Sequence, residues 1–317
     1  MKRFLAKHSP LVILAVLCIV VAALMPNFRK PGNLKKVAYR TPVIGIMASG
    51  ETLVILTGGI DLSVGSVAGL SGVVTGKSMG YLEEHNVPFA VTIGVMAGLG
   101  AAILCGAISG FVTAYGKIPA FISTLGMMMI ARGAALVITG GAPVGGFLDR
   151  FLYLGGTRGW YIPVSIMLAI AAVLTILLHA TRFGRAVYAI GGNSQSARLS
   201  GIPVDRSRMM VFVICAMLAG FSGIVESSFS SIAAPTGGEG YELDAIAACV
   251  IGGASLMGGE GTVIGALAGT FIMQVLVNIC NLSGIESDWQ KILVGGLVIV
   301  LVAYDTYRKR KSGLLKE

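Results

Sequence analysis

Seven ionisable side chains fall inside or at the rim of long apolar stretches: Glu51, Asp61, Arg132, Glu226, Glu242, Asp244 and Glu260. Burying a charge in a hydrocarbon layer costs at least ~2.5 kcal/mol on insertion scales, so such residues mark proton relays, ion paths or interhelical hydrogen bonds. The set is too sparse for a relay of buried acids, which weighs against a carrier driven by an ion gradient. Glu226 lies within an apolar stretch where it has no capping role, and an interhelical hydrogen bond is the reading for it. Asp61 and Ser63 follow Gly58-Gly59 at the start of one expected helix and Asp244 stands at the start of another, where a side-chain oxygen can take up free backbone N–H groups. The functional alternative sets Asp61, Ser63, Glu226, Glu242 and Asp244 beside a translocation path or gate.

Other chemistry finds no constellation. Ser71-Gly72-Val73-Val74-Thr75-Gly76-Lys77-Ser78 ends like a phosphate-binding loop, but Ser71 stands where that loop needs Gly, and an apolar helix replaces the strand that should precede it. No nucleotide site of its own is expected, nor a cofactor. Cys18, Cys105, Cys215, Cys249 and Cys280 are scattered singly through apolar segments without a C-x-x-C pair, and read as small packing residues. His8, His85 and His179 are too far apart for a ligand set, so no metal is expected. No nucleophile–base pair stands out, and the chain is not read as an enzyme.

The elements that must position these residues are membrane helices. Of 317 residues, 55% are hydrophobic and 12% charged, with a mean hydropathy of +0.84; a soluble domain would carry about twice that charge. Each crossing needs about 20 residues. The apolar stretches 10–27, 38–57, 62–82, 88–115, 118–140, 160–180, 208–232, 244–258, 261–281 and 288–306 predict about ten spans in one all-α transmembrane domain, 1–317. The 45 glycines include small-xxx-small series, Gly72/Gly76/Gly80, Gly94/Gly98, Gly106/Gly110 and Gly261/Gly265/Gly269, which let helix backbones approach. The run Leu11–Met25 ends in Pro26-Asn27-Phe28 without a small-x-small cleavage site, so it reads as an uncleaved first span.

The net charge of +9 sits at the ends of apolar runs rather than in a stripe with interleaved aromatics, which argues against nucleic acid and for anionic membrane lipid. Placing both termini in the cytoplasm puts Lys2, Arg3, Lys7, Lys117, Arg182, Arg185, Arg198, Arg206, Arg208 and Arg308-Lys309-Arg310-Lys311 inside. Arg29, Lys30, Lys35, Lys36 and Arg40 fall on the nominal outside and read as an interfacial segment. The longest internal polar stretch, 181–208, is a candidate docking loop for a cytosolic partner. Gly58-Gly59-Ile60-Asp61-Leu62 before Gly65-Ser66 is echoed by Gly252-Gly253-Ala254-Ser255-Leu256 before Gly261-Thr262, both at internal ends of spans; paired Gly-interrupted segments often border a transport path.

Four strings resemble one family. Leu56-Thr57-Gly58-Gly59-Ile60-Asp61-Leu62-Ser63-Val64-Gly65-Ser66, Ala189-Ile190-Gly191-Gly192-Asn193, Ala197-Arg198-Leu199-Ser200-Gly201-Ile202 and Tyr241-Glu242-Leu243-Asp244-Ala245-Ile246-Ala247-Ala248 are similar to permeases of ribose-type sugar ABC importers, in order, from near Asn27 to near Asp305. The resemblance implies an inner-membrane permease subunit with three partners: a cytosolic ATP-binding subunit, an extracytoplasmic sugar-binding protein and a second permease copy. It implies that Arg182, Gly184, Arg185, Asn193, Ala197, Arg198, Gly201 and Ile202 form the ATPase-coupling loop. Cargo would be a small sugar such as ribose, with a nucleoside, polyol or furanosyl compound as alternative. The resemblance also implies that specificity resides mostly in the binding protein, which explains why the sequence shows no cluster of aromatics and amides suited to gripping a sugar. Glu51 departs from the pattern, which leads one to expect an uncharged residue such as Met; pairing with Arg132 and a position on the path are both open.

Overall fold

The structure, a computed structural model, describes residues 9–311. Lys2, Arg3, Lys7 and His8 lie outside the described residues, as do the side chains of Arg308-Lys309-Arg310-Lys311. The described chain is helical: α1 Ser9–Leu24, α2 Pro31–Leu56, α3 Val64–Glu84, α4 Ala90–Ala114, α5 Ala120–Thr139, α6 Asp149–Leu152, α7 Tyr161–Ala180, α8 Arg182–Gly192, α9 Ser194–Leu199, α10 Val204–Ser230, α11 Tyr241–Ile251, α12 Val263–Leu282 and α13 Ser287–Lys311. Helices α4, α5, α7, α10 and α12 are long and apolar enough to cross a bilayer.

A helix stands at each of the ten expected stretches, but ten crossings do not follow. Helix α11 has 11 residues, a rise of ~16 Å against a hydrocarbon core of ~30 Å, so 244–258 is a half-length element. The apolar string runs on past Ile251, but the backbone turns at Gly253 with φ +85°. Helix α2 begins at Pro31, so Lys35, Lys36 and Arg40 of the basic segment lie within its first turns. Pro at the helix start is favoured because its missing N–H has no partner there anyway.

Helix α10 is the hub, packed on α2, α3 and α4, while α12 packs on α2 and α11. Small residues make this closeness possible. A methyl on Gly72 would meet Ser227 Oγ of α10, one on Gly98 would meet Thr75 Oγ1 of α3, and one on Gly110 would lie 2.8 Å from the Met209 carbonyl oxygen. Gly269 is pressed on the Ala248 carbonyl of α11. Gly80, by contrast, has nothing within 4 Å and takes no part in packing within the chain. The chain segment Ser71–Ser78 is the continuous middle of α3, not the strand–loop–helix turn a phosphate requires.

Candidate functional site

The ends of α2, α4, α7 and α11 gather at one end of the bundle around the segment 181–208. Thr181 caps α8, its Oγ1 accepting from Gly184 N at 3.1 Å, and Asn193 caps α9, its Oδ1 accepting from Ser196 N at 2.8 Å. These are the side-chain oxygens that free helix N–H groups call for. Gly184 has no room for a side chain, because the backbone of Leu178 lies where its Cβ would be. Ile190, Ala197 and Val204 form a small core with Ala189 and Ile202. Arg182, Arg185, Asn193 and Arg198 are exposed, and Gly201 turns the chain at φ +81°.

Arg198 Nη2 and Lys117 Nζ both reach Asp205 Oδ1, at 2.8 and 2.5 Å. The hydrogen bond and charge of Asp205 hold the Arg198 guanidinium above its usual range. Leu199, next to Arg198 in the chain, is 84% exposed, an apolar knob that sequence reasoning passed over. Only the turn of a short helix puts it outward beside a buried Ala197.

The two Gly-rich echo segments meet here. Gly259 N donates to the Leu56 carbonyl at 2.9 Å. A Cβ on Gly258 would lie 2.9 Å from Gly58 N, and one on Gly191 of α8 would strike the Leu56 carbonyl oxygen and Gly259 N. Tyr188 Oη donates to the Gly261 carbonyl at 2.9 Å. Helix α8 therefore rests directly on both glycine turns.

The carboxylates divide between two places. Asp61 is fully buried; its Oδ1 accepts from Ser63 N at 2.8 Å and Ser63 Oγ at 2.6 Å. Asp61 thus holds the start of α3, while Ser63 donates its hydroxyl and makes no cap bond. Glu51 is equally buried, and its Oε1 accepts from Asp61 N at 3.0 Å while Cys215 Sγ stands 3.6 Å from Oε2. The pairing with Arg132 does not occur. Arg132 Nη1 instead donates to the carbonyls of Pro235 and Gly237 at 2.6 and 2.8 Å, pinning the segment before α11. Glu242 packs against Gly65. Asp244 lies inside α11, whose N-cap is Gly240 without a side-chain bond, so it caps nothing.

Asp244 and Glu226 face a cavity of about 310 Å³ lined by Tyr39, Arg40, Pro42, Phe229, Tyr241 and Gln274 among others. Glu226 Oε1 accepts an interhelical hydrogen bond from Tyr241 Oη at 2.6 Å. An adjoining cavity of about 300 Å³ shares Arg40, Gln274 and Val277 and adds Lys36, Asn33 and Asn278. Asn33 and Asn278 exchange amide hydrogen bonds of 2.9 Å in both directions. Aromatics, amides and charges that no local string displayed are thus assembled from α2, α10, α11 and α12. Among the described residues no group of three or more His, Cys, Asp or Glu could hold a metal ion.

A family model described as branched-chain amino acid transport system / permease component matches residues 33–302. The chain is 42% identical over 314 residues to the ribose import permease protein RbsC of Escherichia coli strain K12, covering 97% of this chain and 96% of that protein. It is 38% identical over 311 residues to RbsC of Bacillus subtilis strain 168, covering 96% and 94%. It is 36% identical over 310 residues to the L-arabinose transport system permease protein AraH of Escherichia coli strain K12, covering 97% and 93%. No solved structure matches the chain.

Proposed function

The chain belongs to the branched-chain amino acid transport system / permease component family, and from that premise we propose how it works as the multi-pass inner-membrane permease of a sugar ABC importer. Its cargo is a pentose such as ribose, the sugar in the names of the relatives at 42% and 38% identity. Two copies form the path, an ATPase subunit docks on 181–208 in the cytoplasm, and a soluble binding protein delivers the sugar to the other end. Both termini are cytoplasmic.

One observation carries this reading: α8 and α9 present exposed Arg182, Arg185, Arg198 and Leu199 at the end where both glycine turns are gathered. An ATPase that grips α8 differently in its ATP-bound and free states biases the equilibrium between outward- and inward-facing packings, because a partner shifts an equilibrium only by its differential affinity. The permease then needs no bond chemistry.

The test is uptake of ribose into proteoliposomes holding permease, ATPase and binding protein. Uptake should require ATP and the binding protein together. Uptake that persists without nucleotide under a proton or sodium gradient would overturn the reading in favour of an ion-coupled carrier.

A further inference from the structure

Arg40, Asp244 and Gln274 all line the cavity beside Tyr39 and Phe229, yet among the described residues none of their side chains takes part in a hydrogen bond or ion pair. Glu226 has one oxygen held by Tyr241 Oη at 2.6 Å; its other oxygen accepts from no described residue. A transmembrane bundle ordinarily spends such polar groups on one another. Here a guanidinium, two carboxylates and an amide converge on one space with hydrogen-bonding capacity to spare. Tyr39 and Phe229 form the apolar part of the wall, ring centroids 4.5 Å apart at 60°.

We propose that this cavity is a monosaccharide subsite of the permease itself, in which Glu226, Asp244, Gln274 and Arg40 exchange hydrogen bonds with sugar hydroxyls while Tyr39 and Phe229 cover an apolar C–H face. Planar groups carrying two donors or acceptors bridge adjacent hydroxyls, which is the chemistry that carboxylate, amide and guanidinium share. The cavity's 310 Å³ lies at the small end of ligand pockets, about 300–1,000 Å³, and suits a single sugar ring rather than an oligosaccharide. Tyr241 acts as a positioning residue by fixing the Glu226 carboxylate. The side chains are half-buried or, for Arg40, exposed, so the site holds a sugar weakly and can release it, as a step on a path must.

This inference rests on the proposed sugar reading, and its test separates the two. The complete importer is reconstituted with saturating ribose-loaded binding protein, and ribose moved per ATP hydrolysed is measured for wild type, D244N, Q274A and G133A. Gly133 has nothing within 4 Å and serves as control. D244N and Q274A should lower the ratio at least tenfold, with G133A within twofold of wild type. In parallel, Q274C is labelled with an impermeant thiol reagent, and millimolar ribose should slow labelling while leucine should not. A wild-type importer that moves no ribose sinks the sugar reading. A wild type that moves ribose, with unaltered ratios in D244N and Q274A or labelling of Q274C indifferent to ribose, sinks the subsite. Protection by leucine instead would assign the cavity to a zwitterion and overturn the proposal equally.

Discussion

The adjacent glycines Gly191 and Gly192 at the end of α8 offer a matched pair of perturbations. A methyl on Gly191 would occupy the place of the Leu56 carbonyl oxygen and crowd Gly259 N, the two partners of a 2.9 Å backbone hydrogen bond, whereas a methyl on Gly192 meets nothing within 4 Å. Overpacking of this kind costs ~1–3 kcal/mol, and a strained buried hydrogen bond adds ~1 kcal/mol. The better helix propensity of Ala returns up to ~1 kcal/mol at both positions. The net for G191A is ~1–3 kcal/mol against the junction, a factor of roughly 5 to 150 in its population at 1.4 kcal/mol per decade; for G192A it is near zero or favourable. The assay is ATP-dependent ribose uptake in proteoliposomes at equal protein, with ATP hydrolysis read alongside. G191A should lose most of its uptake and G192A should keep it. Indistinguishable uptake in the two variants would show that α8 does not act through the glycine turns.

R198E places a like charge beside Asp205, but the Arg198 side chain is 55% exposed, so solvent screens the pair and little stability is lost. Membrane insertion should be normal and ribose-stimulated ATP hydrolysis lost; unchanged stimulation would reduce the loop to a connector. E51L leaves the buried N–H of Asp61 without its acceptor at 3.0 Å, a cost of ~1–3 kcal/mol, whereas E51Q keeps an acceptor oxygen. Thermal unfolding in detergent should rank wild type and E51Q above E51L, and the reverse order would deny the bond its role. A cysteine at Ser196, exposed in α9, should resist an impermeant thiol reagent on intact cells and react after permeabilisation; labelling of intact cells would invert the topology.

Much of the bundle is legible in the sequence because lipid-facing helices announce themselves by length and apolarity, and Gly110 or Gly269 by its spacing. What the sequence hides follows from three physical causes. The end of α11 is invisible because Cys249-Val250-Ile251 and Leu256-Met257 are apolar on both sides of the turn, so composition does not change where the backbone does. The partner of Glu51 is hidden because it is a backbone N–H, which no residue type advertises. The cavity is hidden because residues 39–40, 226–229, 241–244 and 274 are separated by up to about three-quarters of the chain, and only the packing of α10 and α12 against α2 brings them to one wall. Asp244 illustrates the ambiguity well. An acidic residue near a helix start has the pattern of a cap, yet in α11 the cap position falls at Gly240, leaving the carboxylate free for the cavity.

Helix α2 joins the two places, and its one interior proline yields the sharpest prediction about how they communicate. Leu56 lies in the glycine junction, while Arg40, sixteen residues earlier, lies in the cavity, ~24 Å away along the axis. Between them α2 is tied to α11 by Cys249 Sγ to the Ala48 carbonyl at 3.2 Å and to α10 by Ser222 Oγ to the Val43 carbonyl at 2.6 Å. These ties hold residues 43–56 to α10 and α11. Pro42 has no N–H for the Ala38 carbonyl, and its ring crowds that carbonyl, so the turns carrying Tyr39 and Arg40 form the compliant end. In the proposed cycle, a joint at Pro42 would let Arg40 move with the sugar while residues 43–56 move with the ATPase. P42A restores the missing hydrogen bond and should raise thermal stability, Pro being up to ~3 kcal/mol worse than Ala in a helix interior. It should at the same time lower ribose turnover, because the cavity end would be locked to residues 43–56. A P42A permease that is more stable and transports as fast as wild type would show that the joint plays no part in the cycle.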